Sequence, residues 1–85
     1  VQAASNLAIL QWGRGEADEA VALWEAAVRS PEVPAVVVFN LALAYDQLDR
    51  LAEAGEMYRR FLDRAGPSAD PQNLRRARQR LEELR

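Results

Sequence analysis

Apolar residues recur along this chain at helical spacing from one end to the other. Ala3, Leu7 and Leu10, followed by Arg14, keep the i, i+4, i+7 order of one helical face, and the Gly13-Arg14-Gly15 turn signal stops the helix. This predicts a first helix over about residues 2–13. A second is expected from about Ala17 to Ser30, with Glu16, Asp18 and Glu19 at its positive end, Arg29 at its negative end, and a buried stripe of Ala20, Leu23, Trp24 and Ala27. Pro34 pre-sets a third helix whose face Val37, Leu41, Ala44, Tyr45 and Leu48 repeats the spacing of the first. Leu51 to Arg64 makes the fourth, and Gly66-Pro67 ends it. After Asp70, a good N-cap, and Pro71, which fits the first helical turn, Leu74, Ala77, Leu81 and Leu84 form the stripe of a fifth.

The first four helices repeat. A shift of 34 residues lays Asn6-Leu7-Ala8 on Asn40-Leu41-Ala42, Glu19-Ala20 on Glu53-Ala54, Trp24 on Tyr58 and Val28 on Leu62. These coincidences fall where a helical hairpin needs small or bulky side chains for its helices to interlock. A 34-residue helix-turn-helix unit with this alternation resembles the tetratricopeptide repeat family. Leu7, Ala8, Gly15, Ala20, Trp24 and Ala27 match the first repeat, and Leu41, Ala42, Tyr45, Ala54 and Tyr58 the second. Gln11 stands where a Tyr is usual, Asp49 where Gly is usual, and Phe61 where a small residue is usual; Pro31 comes one residue early. The resemblance implies an all-α, right-handed α-solenoid of two antiparallel hairpins, residues 1–34 and 35–68, closed by a capping helix over residues 69–85. The fifth helix suits a cap, because a repeat array otherwise leaves its last core open to water. Phe61 is expected to fill the contact with that cap, against Leu74 or Ala77.

Composition narrows the function. A chain of 85 residues with 49% apolar and 28% charged side chains is a small globular unit, too small for a deep enclosed active site and unlike a disordered tail. The longest apolar stretch, Val33 to Phe39, holds Pro34 and is far too short to cross a bilayer. His and Cys are both absent, which removes thiolate chemistry, disulfides and the commonest metal ligands. The acidic clusters Glu16/Asp18/Glu19, Glu53/Glu56 and Glu82/Glu83 sit at helix starts or on solvated faces. No enzymatic activity, metal or cofactor is expected. Every basic residue is Arg, which points to a GC-rich bacterial genome and leaves cytoplasm and periplasm equally open. Valine at position 1 suggests an excised or processed chain.

What remains is binding. In tetratricopeptide arrays the A helix of each hairpin lines the concave surface. The resemblance places Gln2, Ser5, Ile9, Trp12 and Gly13 there from the first repeat, and Val36, Phe39, Leu43 and Gln47 from the second. The third helix is therefore apolar on two sides, and something should cover the second one. Asn6 and Asn40 recur at one repeat position; in the family such an asparagine hydrogen-bonds the backbone of a bound peptide, or equally the protein's own helix ends. The partner-binding set is thus Ser5, Asn6, Ile9, Trp12, Val36, Phe39, Asn40, Leu43 and Gln47. A family branch grips chaperone C-termini with a Lys, Arg and Asn clamp, of which only Asn40 is present, so that ligand is disfavoured.

Two readings follow, a peptide- or protein-binding adaptor and a homo-oligomeric scaffold using the same apolar face. Charge adds a third, weaker one. Residues 1–56 hold three Arg against nine acids, a net −6, and residues 57–85 eight against four, a net +4, together the −2 of the chain. A basic last helix suggests nucleic acid, but Tyr58 and Phe61, the only aromatics near it, belong to the core, so nucleic acid is not the expected partner.

Overall fold

The computed structural model describes residues 2–66 and 69–84, with side chains from Leu7 onward. Five helices follow in order: α1 (Gln2–Gly13), α2 (Ala17–Ala27), α3 (Ala35–Gln47), α4 (Leu51–Arg64) and α5 (Pro71–Glu83). No strand occurs among the described residues. Each helix packs chiefly on its chain neighbour, α1 on α2, α2 on α3, α3 on α4 and α4 on α5. This is the helical solenoid that the repeat implies.

The two hairpin turns are built alike, bond for bond. Glu16 N–H donates to Gln11 O at 2.8 Å, and Arg50 N–H to Tyr45 O at 2.9 Å, each closing the helix end with a six-residue ring. Gly15 N–H reaches Trp12 O and Asp49 N–H reaches Asp46 O, both at 3.1 Å. This closure needs a left-handed residue, which Gly15 supplies at φ 80° and Asp49 at φ 59°. An aspartate tolerates that region less readily than glycine does. Asp49→Gly should accordingly stabilise the fold by about 0.5 kcal/mol; an unchanged or lower urea midpoint would contradict it.

The second helix is three residues shorter than its apolar spacing suggests. Pro31 lacks an N–H and biases Ser30 away from helical geometry. The last turn tightens, with Arg29 N–H on Ala26 O at 3.3 Å and Ser30 N–H on Ala27 O at 3.1 Å. Helix α4 then ties down the connection to α3. Arg60 donates to Val28 O at 2.8 Å, and Arg64 to Pro31 O at 2.9 Å and Val33 O at 2.6 Å. Carbonyls left over at the end of a helix thus find partners one repeat further on.

Burial agrees with the sequence pattern in most places and departs from it in a few. Val21 and Val28 are buried beside the expected Ala20, Trp24 and Ala27, because α2 has a neighbour on each side, while Leu23 of the expected stripe is only partly buried and Leu48, on the expected face of α3, is exposed. Phe39, expected on the concave surface, lies in the core, its ring centroid 5.0 Å from Phe61 and 6.2 Å from Tyr58. At about 100° per residue, Phe39 sits only about 20° around α3 from Asp46, on the side that faces α4. Leu7 and Leu10, on the face that opens the sequence pattern, are half exposed.

The cap forms as its signals predict. Asp70 Oδ1 accepts from Gln72 N–H at 2.8 Å, Pro71 takes the first turn, and Ala77 is fully buried with Leu74, Leu81 and Leu84 packed around it. Phe61, 1% exposed, takes Phe39 as its ring partner and also borders a cleft with Asp70 and Asn73 at the start of α5.

Candidate functional site

Helices α1 and α3 lie side by side, and between them runs an open groove of about 270 Å³. From α1 come Ile9 and Trp12; from α3 come Asn40, Leu43, Ala44 and Gln47, and the indole of Trp24 on α2 completes the lining. Successive i, i+3, i+4, i+7 positions of α3 bring Asn40, Leu43, Ala44 and Gln47 onto one stripe, with an amide at each end and apolar carbon between. Trp12 leans on Trp24, ring centroids 6.0 Å apart and planes at 47°. Ile9 is half exposed. Trp24 is buried, and its Nε1 donor has no partner among the described residues.

Five of the nine residues expected from the sequence meet here: Ile9, Trp12, Asn40, Leu43 and Gln47. Val36 is exposed but borders a different cleft, with Pro34, Phe61 and the start of α5. Phe39 is buried beneath the α4 aromatics. The side chains of Ser5 and Asn6 lie outside the described residues. Trp24 and Ala44 are lining residues that helical spacing assigns to the core. Ala44 is nonetheless the small residue that keeps the groove open between two larger neighbours, and Trp24 is large enough to be core and lining at once.

No lining residue is charged. The charges of this region gather on the other sides of α3. Arg80 of the cap forks onto Asp46, Nε to Oδ2 and Nη2 to Oδ1, both at 2.7 Å, while the buried Tyr58 hydroxyl donates to Asp46 Oδ2 at 2.9 Å. Arg80 also reaches Glu83 at 2.9 Å. The Arg80 guanidinium above all, and the Tyr58 hydroxyl after it, hold the Asp46 carboxyl below its ordinary range against the opposing effect of burial. Burial, then the bond to Asp46, pushes the Tyr58 phenol up. Facing α2, the Tyr45 hydroxyl donates to Glu25, and Arg50 lies 4.6 Å from the centre of the Tyr45 ring while bonding Glu53 at 2.6 and 2.8 Å. Burial and then Glu25 raise the Tyr45 phenol.

The two repeats solve one position differently. Trp12 against Trp24 in the first becomes Asp46 against Tyr58 in the second, an apolar ring pair exchanged for a hydrogen-bonded one. Repeat one thereby presents aromatic surface to the groove, and repeat two presents a carboxylate to the cap. Among the described residues no group of three His, Cys, Asp or Glu could hold a metal ion, and no helix is long and apolar enough to cross a membrane.

Tandem helical hairpins with an open groove between their first helices define a helical-repeat protein. The tetratricopeptide repeat family model matches residues 1–26 and 35–60, more than half of the chain in two stretches that start 34 residues apart, and the chain belongs to that family. No curated protein and no solved structure matches it. Tetratricopeptide repeats generally mediate protein–protein interaction and are typically not enzymes.

Proposed function

We propose that this chain is a protein–protein interaction module that takes a peptide or protein segment into the groove between α1 and α3. The observation that carries the reading is the lining itself. Apolar Ile9, Trp12 and Leu43 stand beside the amides of Asn40 and Gln47, with no charge among them. Apolar anchors in a concave site with a few polar groups to fix orientation are what a recognition groove requires. The amides suit the main chain of an extended segment, and the hydrophobic wall suits one bulky apolar side chain. Ser5, Asn6 and Val36 extend the proposed contact set beyond the groove; Phe39 serves it from beneath, by holding α3 in place.

Both tryptophans line the groove, so intrinsic fluorescence reports its occupancy. Peptides selected from a random library on the immobilised chain should shift that emission on binding. Ile9→Gln with Leu43→Gln should then weaken them at least about tenfold, the loss of roughly 1.4 kcal/mol or more of apolar contact. Because no charge lines the groove, affinity should change less than about threefold between 0.05 and 0.5 M salt. Peptides that bind the double variant as well as the wild type would place the site elsewhere. A wild-type dimer by light scattering that becomes monomeric in the same variant would make the groove a self-association surface instead.

A further inference from the structure

The two repeats place a ring that carries a hydrogen-bond donor at the same register position, Trp24 in the first and Tyr58 in the second. In the second repeat the donor is satisfied, because the Tyr58 hydroxyl donates to Asp46 Oδ2 at 2.9 Å. In the first repeat the place of Asp46 is taken by Trp12, whose indole nitrogen donates and does not accept. Trp24 is 4% exposed, and its Nε1 N–H is shielded from solvent with no partner among the described residues. Buried polar groups in folded proteins nearly always have partners. An unpaired donor on a ring that lines an open groove therefore points to a contact with whatever fills that groove.

We infer, on the groove reading given above, that Trp24 is a recognition residue whose indole N–H donates to a main-chain carbonyl of the bound segment. The acceptor is neutral. Asp46 stands against Tyr58 as a carboxylate because Arg80 forks onto it with two bonds of 2.7 Å, whereas no charged residue lines the groove to do the same for a carboxylate beside Trp24. The acceptor also belongs to the main chain. A segment that buries an apolar side chain against Ile9 and Leu43 takes its neighbouring carbonyls out of water, and each then needs a donor. Asn40 and Gln47 offer donors from α3, and Trp24 adds one from α2. Access to it requires a movement, since the N–H is shielded while the groove is empty. Trp12 is the partly buried member of the ring pair, 6.0 Å from Trp24 with the planes at 47°, and the groove gives it room to turn. Its displacement uncovers the donor as the segment enters, so the pair is closed in the empty groove and open in the filled one.

Peptides selected on the immobilised chain serve as probes. The two tryptophans give two indole N–H signals in a proton–nitrogen NMR spectrum, assigned by the one that Trp12→Phe removes. On peptide binding the Trp24 signal should move downfield. It should keep that position when each polar side chain of the peptide is changed in turn to alanine, as a main-chain acceptor requires. The full chain made by chemical synthesis with benzothiophene in place of the Trp24 indole keeps the shape of the ring without the N–H. It should be at least as stable as the wild type when free, and should bind the peptides at least about fivefold more weakly. The methyl signals of Ile9 and Leu43 separate the two readings. If they shift on binding and the Trp24 N–H does not, the groove binds peptides and the inference fails; if neither shifts, both fail. Unchanged affinity or a destabilised free chain with benzothiophene, or an N–H shift that vanishes with one peptide side chain, also overturns it.

Discussion

Replacing Phe61 with alanine lowers the unfolding free energy by about 3–5 kcal/mol. The ring is 1% exposed and stands 5.0 Å from Phe39, so its removal opens a cavity among rigid aromatic neighbours that cannot collapse into it. Tyr58 holds its place by bonding Asp46, and Phe39 is fixed on α3 between two buried flanks. A domain of this size has only about 4–13 kcal/mol of total stability, so the variant sits near the edge of folding at physiological temperature. At about 4–8 °C per kcal/mol, the melting temperature falls by roughly 12 °C or more. Phe61→Leu, which refills most of the volume, recovers over half of the loss. A drop below about 4 °C for the alanine variant would show that the ring is not the shared floor of α3, α4 and the α5 cleft.

The fate of Phe61 illustrates what the sequence discloses. A bulky residue where the family places a small one marked a site of unusual packing, and the structure gives it Phe39 of the same repeat as its ring partner. The helices themselves were legible because the 34-residue register fixes four of them at once, and α4 runs from Leu51 to Arg64 as its pattern indicates. What periodicity misses is the number of neighbours. In a solenoid α2 has one hairpin partner and one stacking partner, so it buries more than the single face of Ala20, Leu23, Trp24 and Ala27 that stands out in the sequence. Phe39 fails for a related reason: only about 40° around α3 separates it from Leu43 in the groove, and that is finer than apolar spacing resolves.

The groove was half legible. Its A-helix residues Ile9, Trp12, Leu43 and Gln47 follow from the resemblance and one helical stripe, but Trp24 and Ala44 enter only once the two A helices are set side by side. Its neutrality was not legible at all. Composition gives a basic C-terminal third, yet Arg60 and Arg64 clamp carbonyls of the α2–α3 connection and Arg80 is held by Asp46. These long-range bonds join residues 31 to 34 apart, about one repeat length, so a repeat protein reuses its own period to pair charges. The charge asymmetry of the sequence is therefore partly internal wiring.

Asp46 is where that wiring bears most weight. Asp46→Ala strands the fully buried Tyr58 hydroxyl without an acceptor, at a cost of about 2 kcal/mol, or roughly 8–16 °C in melting temperature. It also releases Arg80, whose fork ties the cap to α3. The α5 amides should lose hydrogen-exchange protection before those of α2 and α3, as a local opening and not as global unfolding. Acid should act in the same direction. The folded Asp46 carboxyl lies below its unfolded value of 3.8, so its contribution is present above that value and is lost as pH falls through the folded one. Tyr58→Phe with Asp46 retained keeps the fork to Arg80 and should loosen the cap less than Asp46→Asn does. The stability difference between wild type and Asp46→Asn should then be constant from pH 5 to 7 and shrink toward zero below about pH 3.8. No difference between wild type and Asp46→Asn at pH 7 would mean that packing of Leu74, Ala77 and Leu81 alone holds the cap, with the Arg80 fork contributing nothing to it.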